Sequence, residues 1–232
     1  MIKFLCLIFS LLSFASPSIE GCNLLNAIAE KPVFDQHVSL SDAHQKITDI
    51  AKKLGGSFSI LGEGRYGGVV YRLKDEKGFF VLKNYKYQMR RDTDLRLLKI
   101  AKRLESEEAF FVPHAEAFKN QMLILDYVEG QTLRDYILDH GADSEQARVA
   151  REIFDQKAMA FIKGLMDDPN TEYQSYKHHP TDSTTRSRNF FGDPRMDGTL
   201  TYEIRLDGHR FWIKSDNIII DKNGDMHMID PF

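Results

Sequence analysis

Residues 213–232 read Ile-Lys-Ser-Asp-Asn-Ile-Ile-Ile-Asp-Lys-Asn-Gly-Asp-Met-His-Met-Ile-Asp-Pro-Phe. Two short apolar runs, 218–220 and 226–229, flank the turn Asp221-Lys222-Asn223-Gly224-Asp225. Asn-Gly between apolar runs signals a hairpin, because both residues tolerate positive φ. A polar group stands at each base: Asn217 enters the first strand, and Asp230 leaves the second thirteen residues later. Two oxygen donors held in this way can share a hard cation such as Mg²⁺.

Far upstream, residues 57–61 are an expected strand running into Gly62-Glu63-Gly64-Arg65-Tyr66-Gly67-Gly68-Val69-Val70-Tyr71. Glycines spaced G-x-G-x-x-G-x-V let backbone N–H groups approach a triphosphate without Cβ clashes. The same glycines serve dinucleotide sites, but those need a helix directly afterwards. Here residues 69–73 are β-branched and aromatic, which predicts a strand. A turn at 75–78 leads to a third strand ending in Lys83, fourteen residues after Val69.

Periodicity sketches the remainder. Ser41-Asp42 opens a helix to Leu54, with Ile47, Ile50, Ala51 and Leu54 on one face and Gly55-Gly56 as its stop. Residues 92–104 are helical, and 110–118 and 122–125 read as strands. The longest helix spans 144–166, with Ala150, Phe154, Ala158, Phe161 and Leu165 as its apolar stripe. Residues 167–200, rich in polar residues and Pro, read as a long loop. His178-His179 has no Cys or carboxylate at ligand spacing. Residues 200–206 are a candidate strand.

Strand, glycine loop, strand, turn and strand ending in Lys resembles the order of the protein-kinase N-lobe. Lys214-Ser215-Asp216-Asn217 resembles the end of a kinase catalytic loop, and Asp230-Pro231-Phe232 its metal-binding Asp-Phe-Gly. Asp126-Tyr127-Val128-Glu129-Gly130 resembles the kinase hinge. The resemblance covers 57–138 and 207–232. It implies an α+β, bilobal protein-kinase-like fold, with a five-stranded antiparallel N-lobe and a truncated C-lobe. Residues 1–18 would be a signal peptide or apolar segment, 19–125 the N-lobe with a leader helix, and 126–232 a minimal C-lobe. The implied cofactors are ATP and Mg²⁺. Gly62, Gly64, Gly67 and Val69 would cover the nucleotide, and Lys83 would hold its α- and β-phosphates. Lys214 would neutralise the γ-phosphate. Asn217 and Asp230 would hold the metal. Backbone groups of Asp126 and Val128 would bond adenine, with Leu125 as gatekeeper. Asp94 or Glu105 would be the carboxylate partner of Lys83.

The catalytic loop departs from that family. The base aspartate belongs five residues before Asn217, where Trp212 stands. His209-Arg210 resembles the usual His-Arg but is one residue out of register. Asp216 or Asp207 would have to orient the acceptor hydroxyl. General-base catalysis contributes about 10²–10⁴-fold, whereas phosphoryl transfer depends mostly on positioning and charge neutralisation. An ending at Phe232 would leave no activation loop. In this the chain is similar to minimal kinases that bacteria deliver into host cells, including the HopBF type. That similarity implies a serine/threonine kinase acting on a host chaperone or signalling protein. A nucleotide-binding pseudokinase and an AMP transferase are the alternatives.

Composition fits this reading. The chain has 232 residues, 42% hydrophobic and 28% charged, enough for one domain or two small lobes. Its net charge of −3 argues against a dedicated nucleic-acid binder. Lys3, the apolar run 4–14 and Ala15-Ser16-Pro17 form the pattern of a secretory signal, too short to span a membrane. Cys6 and Cys22 are the only cysteines, and cleavage after Ala15 would leave one, so the fold cannot depend on an internal disulfide. A secreted, monomeric protein with a protein substrate is expected.

Overall fold

The computed structural model describes residues 24, 27–28, 40–63, 69–75, 78–85, 87–118, 121–179 and 200–230. The signal-like segment 1–18, Gly64 and Gly67, and Pro231-Phe232 lie outside them.

Helix α1 (Leu40–Lys53) buries Ile47, Ile50 and Ala51. It ends at Gly55, whose φ of +70° suits glycine, and the Gly56 N–H closes the turn on Ala51 O at 2.9 Å. Strands β1 (Ser57–Glu63), β2 (Val69–Asp75) and β3 (Gly78–Asn84) follow, then helix α2 (Gln88–Arg103) and strands β4 (Ala115–Phe118) and β5 (Met122–Asp126). The five strands form one antiparallel sheet in the order β1-β2-β3-β5-β4. Side chains alternate between its faces. Tyr71, Leu73, Leu82 and Ile124 pack with α1. Val81, Leu123 and Leu125 point to the opposite side, where α2 and the C-terminal half lie.

That half contains β6 (Gly130–Thr132), α3 (Leu133–His140) and α4 (Glu145–Asp167). Thr132 caps α3 by accepting from Asp135 N, and Ser144 caps α4 by accepting from Ala147 N. The result is an α+β architecture, with the expected five-stranded antiparallel sheet and four helices among the described residues.

Two expectations are corrected. Residues 173–179, read as loop, are strand β7 (Tyr173–His179), which pairs with β8 (Thr201–Leu206) and, through it, with β9 (His209–Lys214). The sheet exists because Tyr202, Ile204, Phe211 and Ile213 bury themselves against α4. Phe211 stacks on Phe161 at 5.7 Å, and Tyr202 donates to Asp155 Oδ1 at 2.9 Å. β7 is an edge strand whose inward register carries Tyr176, opposite Ile204, and His178, stacked on Tyr202 at 4.3 Å; a register shift between Tyr173 and Ser175 breaks the alternation that would betray it. Within 110–118 only Ala115–Phe118 is a strand. Phe111 instead docks the C-terminal hairpin: its N–H donates to Met226 O at 3.0 Å, and it accepts from Met228 N at 2.8 Å.

The hairpin forms as its Asn-Gly turn predicts. β10 (Ile218–Asp221) pairs with β11 (Met226–Met228), with Ile218 opposite Met228 and Gly224 at a φ of +88°. β6 adds to the other edge of β10. There the backbones come so close that a Cβ on Gly130 would lie 2.1 Å from Ile220 O. A side chain at that position must push the strands apart, so Gly130→Ala is expected to destabilise the protein by roughly 1–3 kcal/mol. Chemical denaturation, comparing it with Gly141→Ala, checks this.

Candidate active site

Lys83 is the penultimate residue of β3. Leu82 faces α1, so alternation turns Lys83 to the other side, level with Val70 on β2 and Leu123 on β5. The residue is only 7% exposed. A buried ammonium is costly unless it is paired. Its Nζ lies 3.0 Å from Asp230 Oδ2 and donates to Ile229 O at 3.4 Å.

Asp230 is placed by the hairpin. The residue before it, Ile229, donates its N–H to Asn217 O at 3.0 Å. Asn217 closes the 3₁₀ turn Ser215–Asn217 that joins β9 to β10. The backbone thus fastens Asn217 beside the Asp230 segment, and Asp230 reaches Lys83. Two distant parts of the chain, β3 and the C-terminal hairpin, thus meet at the Lys83–Asp230 pair, with Asn217 fastened by its backbone to the adjoining Ile229. The Asp230 side chain keeps 33% of its surface accessible.

A second carboxylate stands nearby. Asp94 on α2 is 4% exposed and accepts a short hydrogen bond from Tyr85 Oη. Tyr85 lies two residues after Lys83, a spacing that gives both the same side of an extended chain. Burial, and then the negative charge of Asp230, push the Asp94 carboxyl up to about 7, against the pull of Lys83 and the Tyr85 hydroxyl. Burial beside Asp94 and Asp230 likewise pushes the Tyr85 phenol far above its ordinary range. Glu105 is elsewhere, paired with Lys102 at 2.9 Å and accepting from Val112 N at 2.6 Å. Of the two candidates, only Asp94 shares the surroundings of Lys83.

Val69 is a correction. It is 3% exposed and packs in the cluster on α1, on the face away from Lys83. Val70 pairs with Lys83 and shares its face, so the valine above the site is one residue later than the motif suggests. Gly62 ends the described part of the glycine loop. It pairs with Val70, and a Cβ there would meet nothing within 4 Å. β1 and β2 pair directly across the loop, which excludes the strand-to-helix layout of a dinucleotide site.

At the hinge, Asp126 N–H donates to His114 O at 3.1 Å, while among the described residues Val128 has no backbone hydrogen bond. Lys214 caps the 3₁₀ turn, and its ammonium lies 5.2 Å from the Trp212 ring. Alternation along β9 puts both on the side opposite buried Phe211 and Ile213.

Asp216 and Asp207 part company. Asp216 sits inside the 3₁₀ turn, next to Asn217, and its Oδ1 is buried without a hydrogen-bond partner. Asp207 occupies the β8–β9 turn, at a φ of +48° before Gly208 at +74°. It is paired with Arg96 and accepts from Glu172 N at 2.7 Å. Residues 209–214 are a strand, so the segment does not fold back, and Asp207 lies about 20 Å along it from Asn217. The His209-Arg210 likeness fails for the same reason. Asp207-Gly208 between alternating runs is itself a hairpin signal that would have revealed the strand.

Mg²⁺ bound to a nucleotide takes one or two protein ligands and completes its shell with phosphate and water oxygens. Asp230, a third accessible, and Asn217, fastened to the adjoining residue, would be the ones to meet that demand. Among the described residues no group of three or more His, Cys, Asp and Glu side chains could hold a metal on its own.

No family model and no curated protein matches the sequence. Among solved structures, the chain is similar to one described as Rad53 1-466 in complex with AMP-PNP. The two share 18% identity with a TM-score of 0.41, over 82% of this chain and 43% of that one. The chain thus spans less than half the length of that match.

The raised Asp94 carboxyl carries a sign. A folded-state pKa above the ordinary 3.8 means the folded protein holds the proton more tightly. That contribution is complete below about pH 4 and lost as pH rises through about 7. Asp94→Asn keeps an acceptor for Tyr85 without the buried charge. It is expected to match the parent near pH 4 and to exceed its stability increasingly as pH rises through about 7, by at most about 4 kcal/mol. Denaturation midpoints across that range check it.

Proposed function

We propose that this chain binds Mg²⁺-ATP and transfers the γ-phosphoryl group to a serine or threonine hydroxyl of a protein. The convergence of Lys83, Asn217 and Asp230 supports this reading more than any other observation. Lys83 would exchange its bond to Asp230 for the α- and β-phosphates, leaving Asp230 and the Asn217 amide oxygen for the metal. The metal supplies neutralisation of charge on the transferring phosphoryl oxygens. Asp94 would then receive Lys83. Val70 and Val81 would cover the base from the sheet, and Val128 N–H would bond its edge. Asp216, next to Asn217, would accept the hydroxyl proton once acceptor binding exposes its buried Oδ1.

One observation favours a second reading. The place of the family's base aspartate falls on β9, as Trp212, so a nucleotide-binding pseudokinase is the competitor. The apolar start, residues 1–18, makes a protein outside the producing cell the proposed acceptor. N-terminal sequencing of the exported chain tests whether that segment is removed.

Purified protein is to be incubated with γ-labelled ATP and candidate acceptors. Transfer is expected for the parent, with losses of at least 10²-fold for Lys83→Ala and Asp230→Asn. Asp216→Asn is expected to lose about 10²–10⁴-fold in transfer while retaining ATP binding. ATP binding without transfer favours the pseudokinase. Label appearing on protein only from α-labelled ATP indicates AMP transfer.

A further inference from the structure

The sheet β7-β8-β9 has one face against α4. Its register places the opposite face with equal definition. Arg205 on β8 stands directly across from Arg210 on β9, and Glu203 stands between Lys177 on β7 and Trp212 on β9. Like charges directly opposite in an antiparallel ladder are destabilising. Glu203 Oε1 relieves them only in part, at 3.5 Å from Arg210 Nε and 4.0 Å from Arg205 Nε. The two arginine side chains remain 53% and 61% accessible. Among the described residues, two guanidinium groups therefore share one carboxylate, with Lys177 opposite it on β7, on a chain whose net charge is −3.

We propose that this face is a docking surface for an acidic segment of a protein partner. Guanidinium groups present forked donors that match carboxylates, and each arginine has more donors than Glu203 can engage. A carboxylate from outside would offset the Arg205–Arg210 repulsion, so binding relieves a cost already present in the fold. Single-stranded nucleic acid suits the face less well. It needs a basic track with several stacking rings, whereas these cations cluster around an acid. The docking stands apart from the phosphotransfer reading. Only one consequence rests on that reading: β9 leads from Arg210 to the turn bearing Asp216 and Asn217, so an extended segment of about five residues would bridge the docking face and the site.

Trp212 is the only tryptophan in the chain and borders the cluster, so its fluorescence reports occupancy. The full chain, free of nucleotide, is titrated with a Glu-rich peptide and with the same peptide carrying Gln for Glu, by fluorescence and by calorimetry. The Glu peptide is expected to bind, more weakly as salt is raised, and the Gln peptide at least tenfold less tightly. Arg205→Gln/Arg210→Gln should weaken binding at least tenfold with an unchanged or higher melting temperature. Glu203→Gln should tighten it. Calorimetric silence with the Glu peptide, equal binding of both peptides, or unaltered affinity in the double variant would overturn the proposal. So would tighter binding of single-stranded RNA or of phosphatidylserine vesicles than of the Glu peptide.

Discussion

A lysine side chain taken almost wholly out of water must have a counter-charge, and the Lys83–Asp230 pair answers that demand. Strand alternation leaves Lys83 no choice of side, because Leu82 and Tyr71 commit the other face to α1. Once the ammonium points inward, something must bring it a carboxylate. The C-terminal hairpin does so, held on one flank by Phe111 and on the other by β6. The close approach at Gly130, the bridge at Phe111 and the bond from Ile229 to Asn217 all serve the placement of that acidic group.

Lys83 has two carboxylates to answer, Asp230 by direct contact and Asp94 by proximity. Both cannot be fully satisfied by a single cation: burial first, and then the charge of Asp230, raise the Asp94 carboxyl against the pull of Lys83. Tyr85 steadies Asp94 with a hydrogen bond. A divalent cation at Asp230 would remove the competition. The site is therefore electrostatically poised: negative charge is in excess where a metal would sit. The proton on Asp94 offsets that excess near neutral pH.

Much of this was legible in the residues themselves. The Asn-Gly hairpin, the long helix after Ser144 and the strands ending in Lys83 each have a local cause, so local reading recovers them. Lys83, Asn217 and Asp230 come together because the elements carrying them are locally specified. What local reading could not supply was decided by tertiary packing. Val69 and Val70 are indistinguishable as side chains, and only the pairing of β2 with β3 shows which one faces Lys83. β7 has the composition of a loop, and it is a strand because β8 offers it an edge and Tyr202 a stacking surface. The His209-Arg210 likeness drew attention from Asp207-Gly208, the stronger physical signal. Asp207 became a capping and pairing residue far from the chemistry it was a candidate for.

Lys83 and the carbonyl of Ile229 that it meets are 146 residues apart in sequence. During synthesis the amino-terminal sheet would emerge long before the hairpin that neutralises its lysine. Contacts of such separation form late and slowly. Until residues 217–230 have emerged, the sheet carries an ammonium facing an unfinished interior, where water must remain. The Lys83–Asp230 pair thus records whether the two halves of the fold have met, whatever either has formed alone.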